Sequence, residues 1–400
     1  MRVTLTVIAG PHAGTEFTFD RHDTFLVGRS RHAHFQLPEK DRYFSRIHFM
    51  MEVNPPQCRL IDMGSHNGTY VNGQRMLSGD LHDGDQIRAG HTVLRLGVWR
   101  EHAELPETIS YHPNVADAPD PAAPPRVPGY ALLHVLRRDS LGPVYLGRRS
   151  SDDREVAVRT IAPNVRPARH QLDDFLRTAR FLLKLEHRHL VRLCDVGATA
   201  QRLYFVSEHV DGQDLASLVQ REGPQPIERT VRWASQILLA IQYAHEMHFV
   251  HCDIKPANVI LTAHKGKRVV KLADFGIARV YHAAPFSGLS ITGDLLTRAA
   301  FLPPEVLLNY QEAKPAGDQY AVAATLYFLL AGTHALNLPS ELHRRFTSLL
   351  RQQIVPLRER RPEVPTALAE AIHKGMARTP AQRFKSVVEF RHALVKAMKP

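Results

Sequence analysis

His251-Cys252-Asp253-Ile254-Lys255-Pro256-Ala257-Asn258, followed after an intervening hairpin by Asp274-Phe275-Gly276, is the stretch on which the reading of this chain turns. An acid on a short loop, a lysine two residues on, an asparagine five on and a second acid beyond the hairpin form a set suited to phosphoryl transfer. Moving a phosphoryl group asks little covalent chemistry of a protein. It asks for a positioned hydroxyl, hard oxygen ligands for Mg2+, and cations facing the growing charge. In that scheme Asp253 accepts the hydroxyl proton, Asn258 and Asp274 hold the metal, and Lys255 steadies the transferring phosphate. Agreement of so many positions in type and order sets the run apart from a chance assembly of loop residues.

The segment resembles the catalytic loop and DFG motif of eukaryotic-type Ser/Thr protein kinases, and the resemblance spans about 130–398. It implies an α+β bilobal kinase fold with an N-lobe over about 129–207 and a C-lobe over about 211–400, ATP and Mg2+ as cofactors, and protein substrates. Tyr130 to Val158 alternates as three strands around the turn Ser150-Ser151-Asp152-Asp153, like the first hairpins of an N-lobe. Arg137-Arg138-Asp139-Ser140-Leu141-Gly142-Pro143-Val144 stands at the glycine-rich loop, where only the last glycine, Gly142, remains. Glycines there let backbone N–H groups approach phosphates. Arg137 and Asp139 block two of those approaches, and Arg137 or Arg138 offers charge instead. Val156-Ala157-Val158-Arg159 aligns with the Val-Ala-Ile-Lys strand, so Arg159 puts a planar fork where the family has a compact ammonium. Leu172 to Glu186 reads as a helix with Asp173 and Asp174 in its first turn, and Thr178 falls where the family carries the glutamate that pairs with that lysine.

Beyond this helix the resemblance is closer. Leu203 to Gly212 looks like the fifth strand and hinge, with the backbone of Glu208 and Val210 meeting adenine and Val144, Ala157 and Leu261 sandwiching the base; plain core packing is the alternative role of the three apolar residues. Glu228 to His248 has apolar residues at helical spacing. Cys252 stands where many kinases carry the arginine that grips an activation-loop phosphate, which argues against switching through that loop. Asp274 to Glu305 is the activation segment, with Arg298, or Thr297 one register away, at the position that braces the catalytic acid. Asp318, the apolar helix Tyr320–Leu330 and Arg383, expected to pair with Glu305, match the C-lobe frame. The implied function is ATP-dependent protein phosphorylation, weak or lost given Arg159, Thr178 and the altered loop; the alternative is a catalytically inactive pseudokinase scaffold, with or without Mg-ATP.

Residues 1–100 read differently. Short alternating strands are broken by turn chemistry every 8–12 residues or so, the pattern of an all-β sandwich. Three polar clusters interrupt them: Gly28-Arg29-Ser30, Ser45-Arg46-Ile47-His48, and Asn67-Gly68-Thr69 with Val71-Asn72-Gly73. A guanidinium beside a hydroxyl and an amide, on loops of a rigid sandwich, suits a phosphate on a peptide. In order, and with Asp41 ahead of the serine, these clusters resemble the forkhead-associated (FHA) domain. The resemblance implies binding of phosphothreonine-containing proteins: Arg29 and Ser45 hold the phosphate, Arg46 is a second phosphate contact, and Asn67 takes the peptide backbone. His48 braces the loop.

The chain is therefore expected to be multidomain, an all-β FHA sandwich followed by the bilobal kinase fold over 129–400. Between them, residues 101–128 carry seven prolines and few apolar side chains, a spacer that lets the first module roam over tens of ångströms. Three widely separated cysteines argue against a disulfide framework, and no apolar run reaches the ~20 residues of a membrane span. Both fit a cytoplasmic protein. The net charge of +11 divides into +2, −4 and +13 over 1–100, 101–128 and 129–400. The last excess lacks aromatic interleaving and reads as a solvated, Arg-rich surface, not a nucleic-acid face. His32-Ala33-His34 and His187-Arg188-His189 lack the partners of a zinc site.

Overall fold

A computed structural model describes residues 2–30, 33–37, 43–99, 124–139, 141–163, 167–264, 266–284, 286–287, 299–308, 313–339, 348–349 and 353–398. Asp41, His32, Thr297, Arg298 and most of the spacer lie outside the described residues.

The first hundred residues form two facing sheets. Their strands are β1 (Arg2–Ala9), β2 (Glu16–Phe19), β3 (Asp23–Gly28), β4 (Phe35–Gln36), β5 (Phe49–Asn54), β6 (Gln57–Asp62), β7 (Thr69–Val71), β8 (Gln74–Arg75), β9 (Ser78–Leu81), β10 (Gln86–Ala89) and β11 (Thr92–Trp99). One sheet has the order β2-β1-β11-β10-β7-β8 and the other β4-β3-β5-β6-β9. Alternation sends Val3, Leu5, Val7, Phe25, Val27, Phe49, Met51 and Leu60 into the shared core.

The second sheet is apolar on its outer face as well. Leu26 pairs with Met50 and Met50 with Ile61, so three apolar side chains form a row across β3, β5 and β6. With Met63 they are buried, and they join Phe175, Ala179, Tyr281, Ala284 and Phe286 of the second half in one apolar cluster. Asn54 Nδ2 also donates to Ser287 Oγ at 3.4 Å. This corrects the expectation of a roaming module. An apolar row of that kind is poorly suited to water, and the second half covers it.

That half opens with β12 (Tyr130–Asp139), β13 (Gly142–Arg149), β14 (Glu155–Ile161), α1 (Arg169–Arg180), a 3-10 turn at Phe181–Lys184, β15 (Leu193–Ala198) and β16 (Leu203–Glu208). The strands form an antiparallel sheet in the order β12-β13-β14-β16-β15. Helix α1 starts three residues before the expected Leu172, because Gln171 Oε1 turns back to cap the Ala168 N–H at 2.9 Å. Asp173 and Asp174 therefore miss the first turn.

The second lobe is mainly helical: β17 (Gln213–Asp214), α2 (Leu215–Glu222), α3 (Ile227–Glu246), β18 (Val259–His264), β19 (Lys267–Leu272), α4 (Ile277–His282), α5 (Pro304–Leu308), α6 (Pro315–Ala331), α7 (Leu357–Arg360), α8 (Thr366–Gly375) and α9 (Val387–Lys396). Helix α6 is apolar all round because it is the lobe's axis, packed by α2, α3, α8 and α9. Arg383 reaches Glu305 through two bonds of 2.6 and 2.9 Å and satisfies the carbonyls of Ala316 and Ala377. No helix among the described residues is long and apolar enough to cross a membrane.

Two measurements test these contacts. Arg383→Ala leaves a partly buried carboxylate without its partner and should cost about 3–5 kcal/mol, read from the urea transition of buried Trp233 in a Trp99→Phe background; an unchanged midpoint contradicts the role. Met50→Asp leaves the sandwich core intact but puts a charge in the shared cluster. Small-angle scattering should then report a larger radius of gyration than wild type, and equal radii would mean that the row does not hold the halves together.

Candidate functional site

The loop His251–Asn258 is shaped from below by one buried carboxylate. Asp318, at the start of α6, accepts the N–H groups of His251 at 2.9 Å and Cys252 at 3.1 Å and pairs with His245 at 2.9 Å. These bonds hold Cys252 at a φ of +66°, a conformation that a non-glycine residue adopts only when its surroundings dictate it. His251 is fully buried, and burial lowers its pKa. The neutral ring donates from Nε2 to the Ala273 carbonyl at 3.1 Å and accepts the Asp253 N–H at Nδ1. Asp253 therefore faces a fixed direction. Lys255 Nζ lies 3.0 Å from its carboxylate, and Asn258 Nδ2 donates to the same group at 3.0 Å. The structure thus brings Asp253, Lys255 and Asn258 together, with Asp274 beside them.

Above this floor the sheet carries arginines. Arg137 stands opposite Val144, and Val144 opposite Arg159, so the three form a row across β12, β13 and β14. Gly142 makes the hairpin possible. Its φ is +122°, and a Cβ there would lie 2.3 Å from the Thr160 carbonyl oxygen.

Arg159 is 2 % exposed and all five of its N–H groups are used. Asp139 takes two of them at 2.7 and 2.8 Å, Asp274 takes two at 2.6 and 3.5 Å, and NH1 also donates to the Gly142 carbonyl at 3.1 Å. Arg159, expected by its place in the strand to meet ATP, has no donor to spare for a phosphate in this arrangement. Thr178 has no part in the cleft; it is exposed and bonds the Asp174 carbonyl within its own helix. Asp139, read from sequence only as an obstruction, is the carboxylate that replaces the expected glutamate. The signal was present, since an acid gained in the loop accompanied the acid lost from the helix.

Arg137 reaches down to Asn258 and Asp274, the two residues expected to hold metal. Its NH1 donates to Asn258 Oδ1 at 2.7 Å and to the Ala257 carbonyl at 3.0 Å, and its NH2 pairs closely with Asp274. Burial by itself raises the Asp274 carboxyl, but Arg137 and Arg159 overcome it and hold the group well below the usual carboxylate range. For Asp139 burial is likewise outweighed, here by the hydrogen-bonded Arg159. Asn258 and Asp274 are the right donor types for Mg2+. Here, however, the pair already carries a cation at bonding distance, so the ion and this placement of Arg137 exclude each other.

Toward the hinge, Val144 is buried and Ala157 and Leu261 are partly so, on the two sides expected to hold a base. The Glu208 N–H is taken by the Arg192 carbonyl, and its carboxylate by Lys271 and the Arg192 N–H. The backbone of Glu208 and Val210, expected to meet adenine, lies where β16 ends.

In the sandwich, the residues assigned to phosphopeptide contact gather on neighbouring loops. A Cβ on Gly28 would lie 2.3 Å from the Arg46 carbonyl oxygen, so only glycine lets these loops touch. The Arg29 N–H bonds the Ser45 carbonyl at 3.1 Å, and the Ser45 hydroxyl accepts the His66 N–H at 3.0 Å. Exposed Asn67 donates to the Tyr43 carbonyl at 3.0 Å, and Arg46 is exposed. His48 braces the site as expected, bonding Ser45 N–H and the Gly68 carbonyl. Asp62, which the sequence did not single out, ties Ser65 and Thr69 with bonds of 2.6 and 2.7 Å.

Residues 130–394 match the protein kinase domain family, and residues 25–90 match the FHA domain family. The serine/threonine-protein kinase PknK of Mycobacterium tuberculosis is 33% identical over 258 residues, which are 64% of this chain and 22% of that protein. PknJ of the same organism is 30% identical over 280 residues, 68% of this chain and 45% of that protein. The chain thus spans less than half the length of either relative. Among solved structures, the Mycobacterium tuberculosis PknI kinase domain covers 68% of the chain with a TM-score of 0.53 and 25% identity, and 96% of that chain is matched. Rad53 in complex with AMP-PNP covers 98% of the chain and is itself matched over 100%, with a TM-score of 0.54 and 19% identity, a likeness of fold. With the bilobal fold, the Asp253 loop and these matches in agreement, the chain belongs to the protein kinase family, PknK and PknJ being Ser/Thr kinases, and carries an FHA domain ahead of the kinase domain.

Proposed function

We propose that this protein docks phosphothreonine partners through its FHA domain and that its kinase domain transfers phosphoryl groups from ATP weakly or not at all. The observation that carries this reading is the Asp274 carboxylate shared between Arg137 and Arg159. A carboxylate so engaged must release a guanidinium before it can serve a metal ion, and Arg159 must break its own bonds before it can grip a phosphate. Loss of one placed charge stabiliser commonly costs about 10²–10³ in rate. The intact floor of Asp253, Lys255 and Asn258 keeps residual turnover chemically possible. A second reading, an inactive pseudokinase scaffold, is favoured by the complete use of Arg159.

For the FHA half, Arg29 lies beside Ser45, and Arg46 and Asn67 are exposed around them, which suits a phosphate on an extended peptide. A charge-assisted contact of this kind is worth about 1.5–3 kcal/mol. Arg29→Ala should therefore weaken binding of a phosphothreonine peptide by roughly ten- to a hundredfold in calorimetric titration, leaving the unphosphorylated peptide unaffected. Equal affinity of the variant and wild type would remove Arg29 from the site.

Phosphate incorporation from labelled ATP, with Asp253→Asn as the control, tests the kinase half. Turnover should fall at least ~10²-fold below the 1–100 s⁻¹ typical of protein kinases. Asp253-dependent incorporation within that range would overturn the weak-transfer reading; a rate indistinguishable from Asp253→Asn would favour the scaffold.

A further inference from the structure

The two arginines above Asp274 differ in what they have left to give. Arg159 is buried and fully bonded. Arg137 directs three of its five N–H groups to Ala257, Asn258 and Asp274, which leaves its Nε–H and one NH2 hydrogen for another acceptor. Its side chain is 27% exposed and borders a cavity of about 640 Å3 on the α2 side of the cleft, whose other walls include Arg138 and Lys255 as well as Asp139 and Asp214. Lys255 is committed to Asp253, and Arg159 to Asp139 and Asp274. Among Arg137, Arg159 and Lys255, the cations that bond the floor's acids, Arg137 is the one that combines exposure with remaining donors; exposed Arg138 borders the same cavity.

We infer that the cleft binds a nucleoside triphosphate without a divalent cation, the Arg137 guanidinium standing at the metal ligands and meeting the phosphates itself. This deepens the proposed function and rests on reading the cleft as a nucleotide site. A magnesium ion needs oxygen ligands at about 2.0–2.1 Å in near-octahedral array. NH1 of Arg137, 2.7 Å from Asn258 Oδ1, occupies the space on that ligand's open side, and NH2 does the same for Asp274. Arginine stays charged at every working pH, and its planar fork matches phosphate oxygens through paired bonds. One end of the guanidinium thus satisfies the carboxylate and amide, while the other offers charge to the ligand. Arg137 takes its place from the strand register, which lines it up with Val144 and Arg159 on the sheet.

Calorimetric titration of the full chain with adenylyl imidodiphosphate, in EDTA and in excess Mg2+, decides the matter. Wild type should bind with affinities within about threefold of each other in the two buffers. Arg137→Ala should lose at least ~10-fold in EDTA and recover with Mg2+, because Asn258 and Asp274 are then open to the ion. Arg137→Lys keeps a charge without the fork and should fall between them, which guards against a folding defect in the alanine variant. Arg148→Ala, on the exposed end of β13, should match wild type and controls for net charge. Binding by wild type that requires Mg2+, binding in neither buffer, or an Arg137→Ala variant equal to wild type in EDTA overturns the inference. The outcomes separate from those of the turnover assay: Mg2+-dependent binding without incorporation sinks this inference alone, whereas rapid incorporation sinks the weak-transfer reading.

Discussion

A single carboxylate held between two guanidinium groups organises the cleft of this kinase fold. Asp274 takes Arg137 from β12 and Arg159 from β14, and Arg159 in turn takes Asp139 from the end of β12. The network ties the first lobe to the second across the space where a nucleotide and metal would sit. Charges this deeply buried are tolerable because each is paired and hydrogen-bonded; a lone one would carry a large desolvation penalty. The arrangement is also self-consistent as a replacement: an arginine in place of lysine brought more donors than one acid could satisfy, and a second acid in the loop takes the surplus.

Below the network, the catalytic loop owes its shape to Asp318 rather than to its own sequence. Two backbone N–H groups and a histidine converge on that carboxylate, which α6 carries in the middle of the lobe. The backbone of the floor is therefore held from below. Retention of Asp253, Lys255 and Asn258 in their mutual contacts follows from this division, with the floor built on the helical core and the roof on a hairpin that can change its side chains without disturbing that core.

The contact between the two domains bears on the same cleft. The outer row Leu26, Met50 and Ile61 shares its cluster with Phe175 and Ala179 of α1 and with Tyr281 of α4, which follows directly on Asp274-Phe275-Gly276. Ile47, between the phosphate candidate Arg46 and the bracing His48, packs against this cluster too. The FHA loops and the kinase cleft are thus joined through packed side chains, not only through the intervening chain.

Much of this was legible in the residues. The strand alternation of 1–100, the apolar stripe of α3, the Asp253 loop and the Arg383–Glu305 pair could all be read because local spacing and residue type encode them directly. The departures Gly→Arg at 137 and Lys→Arg at 159 were legible as changes, but not as a clamp, since the partner of a guanidinium depends on which strands lie side by side. The unbroken run Phe49-Met50-Met51 likewise carried a sign of burial on both faces, yet only packing could say against what. Sequence alone determined which chemistries the cleft can hold, through the types and order of its groups. Tertiary structure decided which groups meet, because the β12-β13-β14 register and the domain contact place residues more than a hundred positions apart, such as Arg137 and Asp274, within bonding distance.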